Sequence, residues 1–309
     1  MKQKRMNPRA KGGIILFFMS IPVLIATFLF SYLPLLGWQY AFYDFRPGFL
    51  LSDTNFVGLK HFLAPFSNIV LRQELIRVMQ NTLAMSFIGL ALSWLPMAFA
   101  IFLAEIRSKK YRRSVQTLST IPNFISWVLV YALAFAMLSV NDGFVNRLLI
   151  QLGIIEEGIN FLASSSNVWR NMTLYALWKN LGWGAILYIA AMSSIDDELM
   201  EAASIDGAGR LQKIWYITVP ALLPTYFVLL ILSIANFLNH GIEQYFVFQN
   251  PFNRARIEVL DLYVYNTGLA GNSISYSTAV GMLKSAISLL LLFSANFFSK
   301  LVRGGKSVF

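Results

Sequence analysis

A polar segment between Asp196 and Pro220 interrupts an otherwise apolar stretch of sequence. It is DDELMEAASIDGAGRLQKIWYITVP, with five acids, two bases, two glycines and a terminal proline. Exposed carboxylates can form charge-assisted hydrogen bonds with arginine side chains or backbone amides of a partner. The segment therefore predicts a binding surface for another molecule on the aqueous side.

The chain offers little else that could do chemistry. It has no cysteine, only His61 and His240 as histidines, and no HExxH or GxSxG motif. The sequence KLVRGGKS at 300–307 ends like a phosphate-binding loop, but Lys300 stands where the first glycine belongs and two residues follow. We expect no catalytic residue, no bound metal or cofactor, and no nucleotide hydrolysis by this chain.

The composition is that of a membrane protein. Hydrophobic residues make up 57% of the 309 residues and charged ones 13%, with a mean hydropathy of +0.58, whereas soluble domains are about 25% charged. The charge-free run at 12–43 is too long for a signal peptide and has no convincing cleavage site, so we expect a retained first span.

About 20 apolar residues are needed to cross a bilayer as a helix. Apolar windows of this length predict an all-α, polytopic membrane protein with six transmembrane helices in one domain at 14–299. Short basic tails are expected at 1–13 and 300–309. The six predicted helices are 14–36, 81–104, 120–140, 172–192, 219–239 and 277–299.

The distribution of lysine and arginine predicts the orientation. With both termini cytoplasmic, the cytoplasmic pieces hold fifteen bases against six acids. The external side holds nine of each when Lys179, at the outer end of its span, is counted with the loops. The net charge of +10 is then a topology signal, so we expect no nucleic-acid partner. The external loop at 241–276 contains IEVLDLYVYNTGL, which fits a short surface helix, a docking segment or a solvated connector.

Two lysines lie within predicted spans. Lys179 is near the outer end of its helix, where its side chain can reach the interface, and we interpret it as structural. Lys284 is about two turns from the outer end and can face the bundle interior or a water-filled path. The predicted helices contain no acid, which disfavours an ion-coupled transporter.

Within the polar segment, the pattern predicts two short helices joined by a turn. Ser194 begins a capping-box pattern, and the first helix is expected to end near Ile205. Gly207 is a natural helix terminator, since glycine accepts a positive φ. A second short helix is expected at 210–216, with Pro220 in the first turn of the next span.

These residues resemble the signature of inner-membrane permease subunits of binding-protein-dependent ABC importers. The signature is Glu-Ala-Ala, three residues, Gly, nine residues, then Ile-x-Leu-Pro. Here the match is 201–203, Gly207, Ile217 and Pro220, with Val219 in place of the usual leucine. The stretches 178–196, 231–251 and 276–291 are similar to the maltose-type sugar permeases, within them to the polysaccharide and oligosaccharide branch often labelled LplB-like.

The resemblance implies a type I ABC importer permease fold in the bacterial inner membrane. It implies a second homologous permease, two ATPase subunits that hydrolyse ATP, an extracytoplasmic sugar-binding protein and a carbohydrate cargo. The first short helix would insert into a cleft of an ATPase subunit. The implied coupling residues are Leu199, Met200, Glu201, Ala202, Ala203, Gly207 and Pro220.

Aromatic rings and amides suit a sugar path, because rings stack on pyranoses and amides bond to hydroxyls. Each candidate has a competing interpretation as a helix-packing or interfacial residue. Two other functions remain open: the same machinery with a glycerophosphodiester or other polar cargo, and a secondary transporter. The candidates for the cargo path are Trp127, Tyr131, Trp178, Asn180, Trp183, Asn236, Gln244 and Lys284.

Overall fold

The computed structural model describes the backbone of residues 8–302 and the side chains of residues 16–297. Between residues 8 and 302 the structure is mainly helical and has no strand, apart from one isolated bridge between Tyr43 and Phe56. The predicted all-α class is confirmed. The predicted tails, 1–13 and 300–309, lie outside the residues whose side chains are described.

The helices follow one another with short connections. The α-helices are α1 (Pro8–Thr27), α2 (Lys60–Ser67), α3 (Ile69–Ala91), α4 (Leu95–Ala104), α5 (Lys109–Thr120), α6 (Trp127–Leu138), α7 (Phe144–Gln151), α8 (Val168–Met192), α9 (Asp197–Ile205), α10 (Arg210–Lys213), α11 (Val219–Ala235), α12 (Glu243–Phe248), α13 (Arg254–Ile257), α14 (Leu260–Tyr265) and α15 (Ile274–Val302). The 3₁₀ and π segments are Phe28–Tyr32, Leu33–Phe42, Leu51–Asp53, Ile121–Phe124, Ile214–Thr218 and Asn266–Ala270.

Helical stretches cover most of each predicted span. Within the described part of the chain, four helical stretches are long and apolar enough to cross a membrane. The α5–α6 pair makes a fifth if it is one broken span. Helix α8 has 25 residues, enough for a crossing, but it is more polar than these. The count of six spans therefore stays a prediction. The four stretches are Leu16–Phe42, Ile69–Ala104, Arg210–Ala235 and Ile274–Phe297.

The predicted continuous helix at 120–140 is wrong, because the chain bends by 107° between α5 and α6. Pro122 lies at the start of a 3₁₀ turn, and Ile125 and Ser126 are extended. The Ser126 hydroxyl then accepts the Leu129 N–H at 3.4 Å and caps the start of α6. The bend matters for function, since it sets where the first residues of α6 lie.

The chain divides into two compact units, the first made of Met1–Ser67 and Thr267–Leu283. The most apolar part of its first span, Leu16–Phe42, contains no buried residue, so this surface is available to lipid or to a partner subunit. The segment after the span is ordered by backbone bonds, including the Val57 N–H to the Phe42 carbonyl at 2.8 Å. The Phe45 N–H also donates to the Ser275 hydroxyl at 3.0 Å.

The second unit consists of Asn68–Asn266 and Lys284–Phe309. Small side chains let its helices approach closely: Ala100 of α4 and Ala185 of α8 are fully buried and pack in one cluster with Leu222 of α11. A Cβ at Gly182 would collide with the Ser119 backbone, so α8 needs glycine there to lie against the end of α5.

The segment IEVLDLYVYNTGL is not a solvated connector. Ile257, Val259 and Leu262 have exposures of 1% or less and pack in a core cluster. Helix α3 binds the backbone of this segment: the Asn81 amide donates to the Glu258 carbonyl at 3.1 Å, and the Thr82 hydroxyl accepts a backbone N–H. Residues 257–266 therefore belong to the second unit, with Ile257, Val259 and Leu262 in its core.

A buried carboxylate also holds this segment to α3. The Glu258 side chain is 2% exposed, and its Oε2 pairs with Arg77 Nη2 at 2.7 Å. Its Oε1 accepts the Asn266 amide at 2.8 Å and lies 3.8 Å from Arg254. A buried charge needs such partners, because an unpaired one would cost several kcal/mol.

Candidate functional site

Helix α9 is the first short helix of the polar segment, and it ends at Ile205 as the sequence predicts. Its cap differs from the prediction. Asp196 is the N-cap, and its carboxylate accepts the Glu198 N–H at 3.0 Å. The Ser194 hydroxyl instead donates to the Ala191 carbonyl at 2.7 Å. Asp196 is favoured over Ser194 as the cap because a carboxylate at the start of a helix is also stabilised by the helix dipole.

Gly207 ends α9 with the positive φ that the sequence predicts, +77°. The Gly207 N–H donates to the Ser204 carbonyl at 3.2 Å, and the Ala208 N–H donates to the Ala203 carbonyl at 2.8 Å. This pair of bonds is the Schellman motif, which satisfies the last carbonyls of a helix. A side chain here would have open space around it but a strained backbone.

The predicted separate helix at 210–216 is wrong, since α10 continues through a π turn into α11 as one stretch, Arg210–Ala235. Pro220 lies in the first turn of α11, as expected. Lys213 donates to the Ser204 hydroxyl, which donates in turn to the Met200 carbonyl. Helix α9 is thus tied by side-chain hydrogen bonds to the base of the stretch Arg210–Ala235.

The exposed surface of this segment is both charged and apolar. Leu199 is 56% exposed, and Glu201, Ala202 and Pro220 are exposed, whereas Met200 and Ala203 are half-buried. Sequence reasoning missed further exposed apolar side chains in this segment, among them Ile205 at 87% and Leu211 at 71% exposure. The sequence signal that could have revealed them is the presence of large apolar residues beside the two glycines of a polar turn.

A cavity of about 620 Å³ opens in the second unit between α3, α6, α8, α11 and α12. Its wall combines one indole ring with amides, hydroxyls and apolar side chains. Such a volume and mixture are typical of small-molecule sites, which fall near 300–1,000 Å³. Its polar and aromatic lining includes Ser86, Trp127, Thr173, Asn180, Ser233, Asn236, Asn239, His240, Gln244 and Tyr245.

Half of the predicted cargo-path residues line this cavity: Trp127, Asn180, Asn236 and Gln244. The amides are held in place, since Gln244 donates to the Met172 carbonyl at 2.8 Å and Asn180 to the Ala176 carbonyl at 2.9 Å. Each bound nitrogen leaves further hydrogen-bonding capacity on the same amide.

The other four candidates lie elsewhere. Trp178 and Trp183 are 45% and 49% exposed and outside the lining. The Tyr131 ring packs edge-on against Phe248, 5.1 Å away, in the core. Lys284 pairs with Asp261.

Lys179 does not extend to the membrane interface but is buried, with 8% exposure. Its ammonium donates to the carbonyls of Pro122 at 3.2 Å, Asn123 at 2.7 Å and Ile125 at 2.6 Å. These carbonyls belong to the α5–α6 bend, where the Pro122 carbonyl also accepts the Ile125 N–H at 3.2 Å. The same nitrogen lies 5.5 Å from the centre of the Trp127 ring, a cation–π distance.

The Lys284–Asp261 ion pair holds part of the cavity wall in place from outside the lining. The side chains of Lys284 and Asp261 are 14% and 15% exposed. Asp261 also accepts the His240 N–H at 2.8 Å and the Gly241 N–H at 3.1 Å, where Gly241 has a φ of +72°. The pair fixes the turn that presents Asn239 and His240, two lining residues that the sequence analysis missed.

The cavity wall is uncharged near neutral pH. No Lys, Arg, Asp or Glu belongs to its described lining. Burial lowers the pKa of His240, and the charge of Asp261 acts in the opposite direction with a smaller effect. The His240 ring lies 3.3 Å from the Ser86 hydroxyl. The wall can therefore offer stacking and neutral hydrogen bonds to a solute.

Comparison with known proteins defines the class. Residues 97–304 match the model of a family described as the binding-protein-dependent transport system inner membrane component. The match includes the polar segment and most of the cavity, and the chain belongs to this family. It is a multi-pass component of the cell's inner membrane.

Two relatives in Bacillus subtilis (strain 168) are similar over nearly the whole chain. Protein LplB is 37% identical over 92% of this chain and 88% of its own length. The polygalacturonan/rhamnogalacturonan transport system permease protein YteP is 38% identical over 97% of this chain and 92% of its own.

A solved structure has the same fold. A bacterial alginate ABC transporter, in complex with an alginate pentasaccharide-bound periplasmic protein, contains a chain that superposes with a TM-score of 0.83. That chain is 31% identical, and the alignment covers 97% of this chain and 98% of the other. The predicted ABC permease fold is confirmed, while no comparison assigns individual site residues.

Proposed function

We propose that this chain is the permease subunit of an ATP-driven importer of oligosaccharide or polysaccharide fragments. The observation that carries the proposal is the uncharged cavity of about 620 Å³, with Trp127 among the amides Asn180, Asn236 and Gln244. An aromatic ring offers a stacking face to a pyranose, and amides donate to and accept from its hydroxyls. Relatives named for pectic polymers and for alginate agree with this cargo class.

The energy would enter through α9. Its exposed surface joins Leu199 and Ala202 with Glu201, a mixture that suits a cleft with an apolar floor and an arginine or amide at its edge. Lys213 ties α9 to the base of α11, so closure of two ATPase subunits would move that helix. The proposal includes a second, homologous permease and an extracytoplasmic sugar-binding protein. The family description, which names binding-protein-dependent transport, supports a binding-protein partner.

A glycerophosphodiester cargo is disfavoured by charge. A phosphate would favour a cation in the path, and Lys284 was the candidate from the sequence. Lys284 is instead paired with Asp261 and lies outside the described lining. A secondary transporter is disfavoured by the same pairing, since Asp261 is already engaged by a cation and two backbone N–H groups.

Stimulation of ATP hydrolysis tests the cargo class. The complete complex, in proteoliposomes with its binding protein, would be supplied with oligosaccharide mixtures or with glycerophosphodiesters. We expect ATP hydrolysis to rise with an oligosaccharide mixture. A rise with glycerophosphodiesters alone would contradict a carbohydrate cargo, and the absence of an associated ATPase would contradict the whole assignment.

A further inference from the structure

A second cavity, of about 320 Å³, lies between the ends of α4 and α8 and the middle of α5. Its floor is hydrocarbon, from side chains that include Leu103, Ile189 and Met192. Its polar edge is formed by Arg112 and Gln116, which are four residues apart and so share one face of α5. The cavity thus has an apolar part and a cationic edge.

The charge around Arg112 is strongly positive. Five bases lie between residues 107 and 113, and within the described side chains none of them forms an ion pair. The first turn of α5 contains no acid, and Glu105 is the one acid nearby in sequence. These bases are exposed, so their charge is available to an anion.

We propose that this cavity binds one anionic phospholipid of the cytoplasmic leaflet. Its phosphate would lie against Arg112 and Gln116, and the first part of an acyl chain would lie along Leu103, Ile189 and Met192. Basic pockets between membrane helices on the cytoplasmic side are suited to anionic headgroups. The apolar floor distinguishes this molecule from a free phosphate, which would gain nothing from hydrocarbon.

The bound lipid would act on the polar segment. Ser193 lines the cavity and lies three residues before Asp196, the cap of α9. A lipid in this cavity would pack against the end of α8, next to the start of α9. Anionic lipid would therefore help to hold the coupling helix α9 in position. This inference does not depend on which cargo the importer carries.

The test measures binding of phosphatidylglycerol to the purified complex in detergent, with phosphatidylcholine, which is zwitterionic and has no net charge, as the comparison. We expect tighter binding of phosphatidylglycerol. Arg112→Gln should weaken it about fivefold, the effect of one cation near an anionic headgroup. Arg113→Gln, the same change on a residue outside the cavity, should leave binding at this cavity nearly unchanged. Ala104→Phe, which fills part of the cavity without altering charge, should reduce binding of both lipids.

Three outcomes would overturn the inference. One is equal phosphatidylglycerol binding by wild-type and Arg112→Gln complexes. Another is complete displacement of the lipid by inorganic phosphate, which would identify a free-anion site. The third is loss of an ATPase subunit from the Arg112→Gln complex, which would identify a subunit contact.

Discussion

The ammonium nitrogen of Lys179 on α8 lies 5.5 Å from the centre of the Trp127 ring, the first residue of α6. The same nitrogen binds three carbonyls of the bend that precedes α6. One side chain therefore stabilises the break in a span and places an aromatic ring in the wall of the cavity.

Lys179→Met should destabilise the protein by about 1–3 kcal/mol, because it removes three charge-assisted hydrogen bonds to carbonyls of the bend. Unfolding in a denaturing detergent titration measures this. Lys60→Met is the control, since the Lys60 side chain is 61% exposed and its ion pair with Asp44 is long, at 3.4 Å. Equal stability of the two variants would contradict the role of Lys179.

Trp127→Ala should lower uptake at limiting cargo about tenfold, because loss of one stacking face weakens binding by roughly 1–2 kcal/mol. Trp178→Ala is the matched control: the same ring is removed from a half-exposed site outside the cavity. Initial uptake rates across a range of cargo concentrations separate the two variants. Similar losses in both would place the cargo path elsewhere.

Lys284→Met should destabilise the protein more than Lys284→Met combined with Asp261→Asn. The single change leaves a largely buried carboxylate without its cation, whereas asparagine in the double variant still accepts the two backbone N–H groups. A double-mutant cycle should give a coupling of about 1–3 kcal/mol. Additive effects would mean that the ion pair contributes nothing.

Gly207→Val should uncouple ATP hydrolysis from uptake while the permease still inserts. A Cβ added at this position meets no atom within 4 Å, so we expect the main cost to be backbone strain at a φ of +77°, roughly 1–2 kcal/mol. Gly209→Ala is the control, because Gly209 has a φ of −70° and a Cβ there meets the Gln212 amide at an ordinary 3.6 Å. If Gly209→Ala also lost coupling, backbone strain at the positive φ of Gly207 would not explain the effect.

The sequence predicted the local features of the polar segment well. A short helix to Ile205 and the glycine terminator depend on residues within a few positions of each other, and both occur in the structure. The choice of Asp196 over Ser194 as the cap was missed, since both lie before the same helix and either could serve. The continuity of α10 with α11 was missed, because its π turn has no simple sequence signal.

The cavity could be predicted only in part. Residue types favoured an aromatic and amide path, but they could not separate Trp127 from Trp178, since the difference is which helix face meets its neighbours. The acceptors of Lys179 lie 54 to 57 residues before it, beyond any local pattern. The burial of Ile257 and Leu262 likewise depends on α3, far away in the sequence.

We expect ATP hydrolysed by partner subunits to drive carbohydrate import through α9. Uptake of labelled oligosaccharide by proteoliposomes that contain the complete complex tests this coupling most directly. Uptake is measured with and without ATP on the side of the membrane that carries the ATPase subunits. Glu201→Lys reverses the charge on the exposed face of α9, and Glu156→Lys makes the same change at an exposed site far along the chain.

We expect ATP-dependent uptake by the wild type and by Glu156→Lys, and no ATP-dependent uptake by Glu201→Lys despite normal membrane insertion. Uptake by the wild type without ATP, or undiminished ATP-driven uptake by Glu201→Lys, would contradict the account.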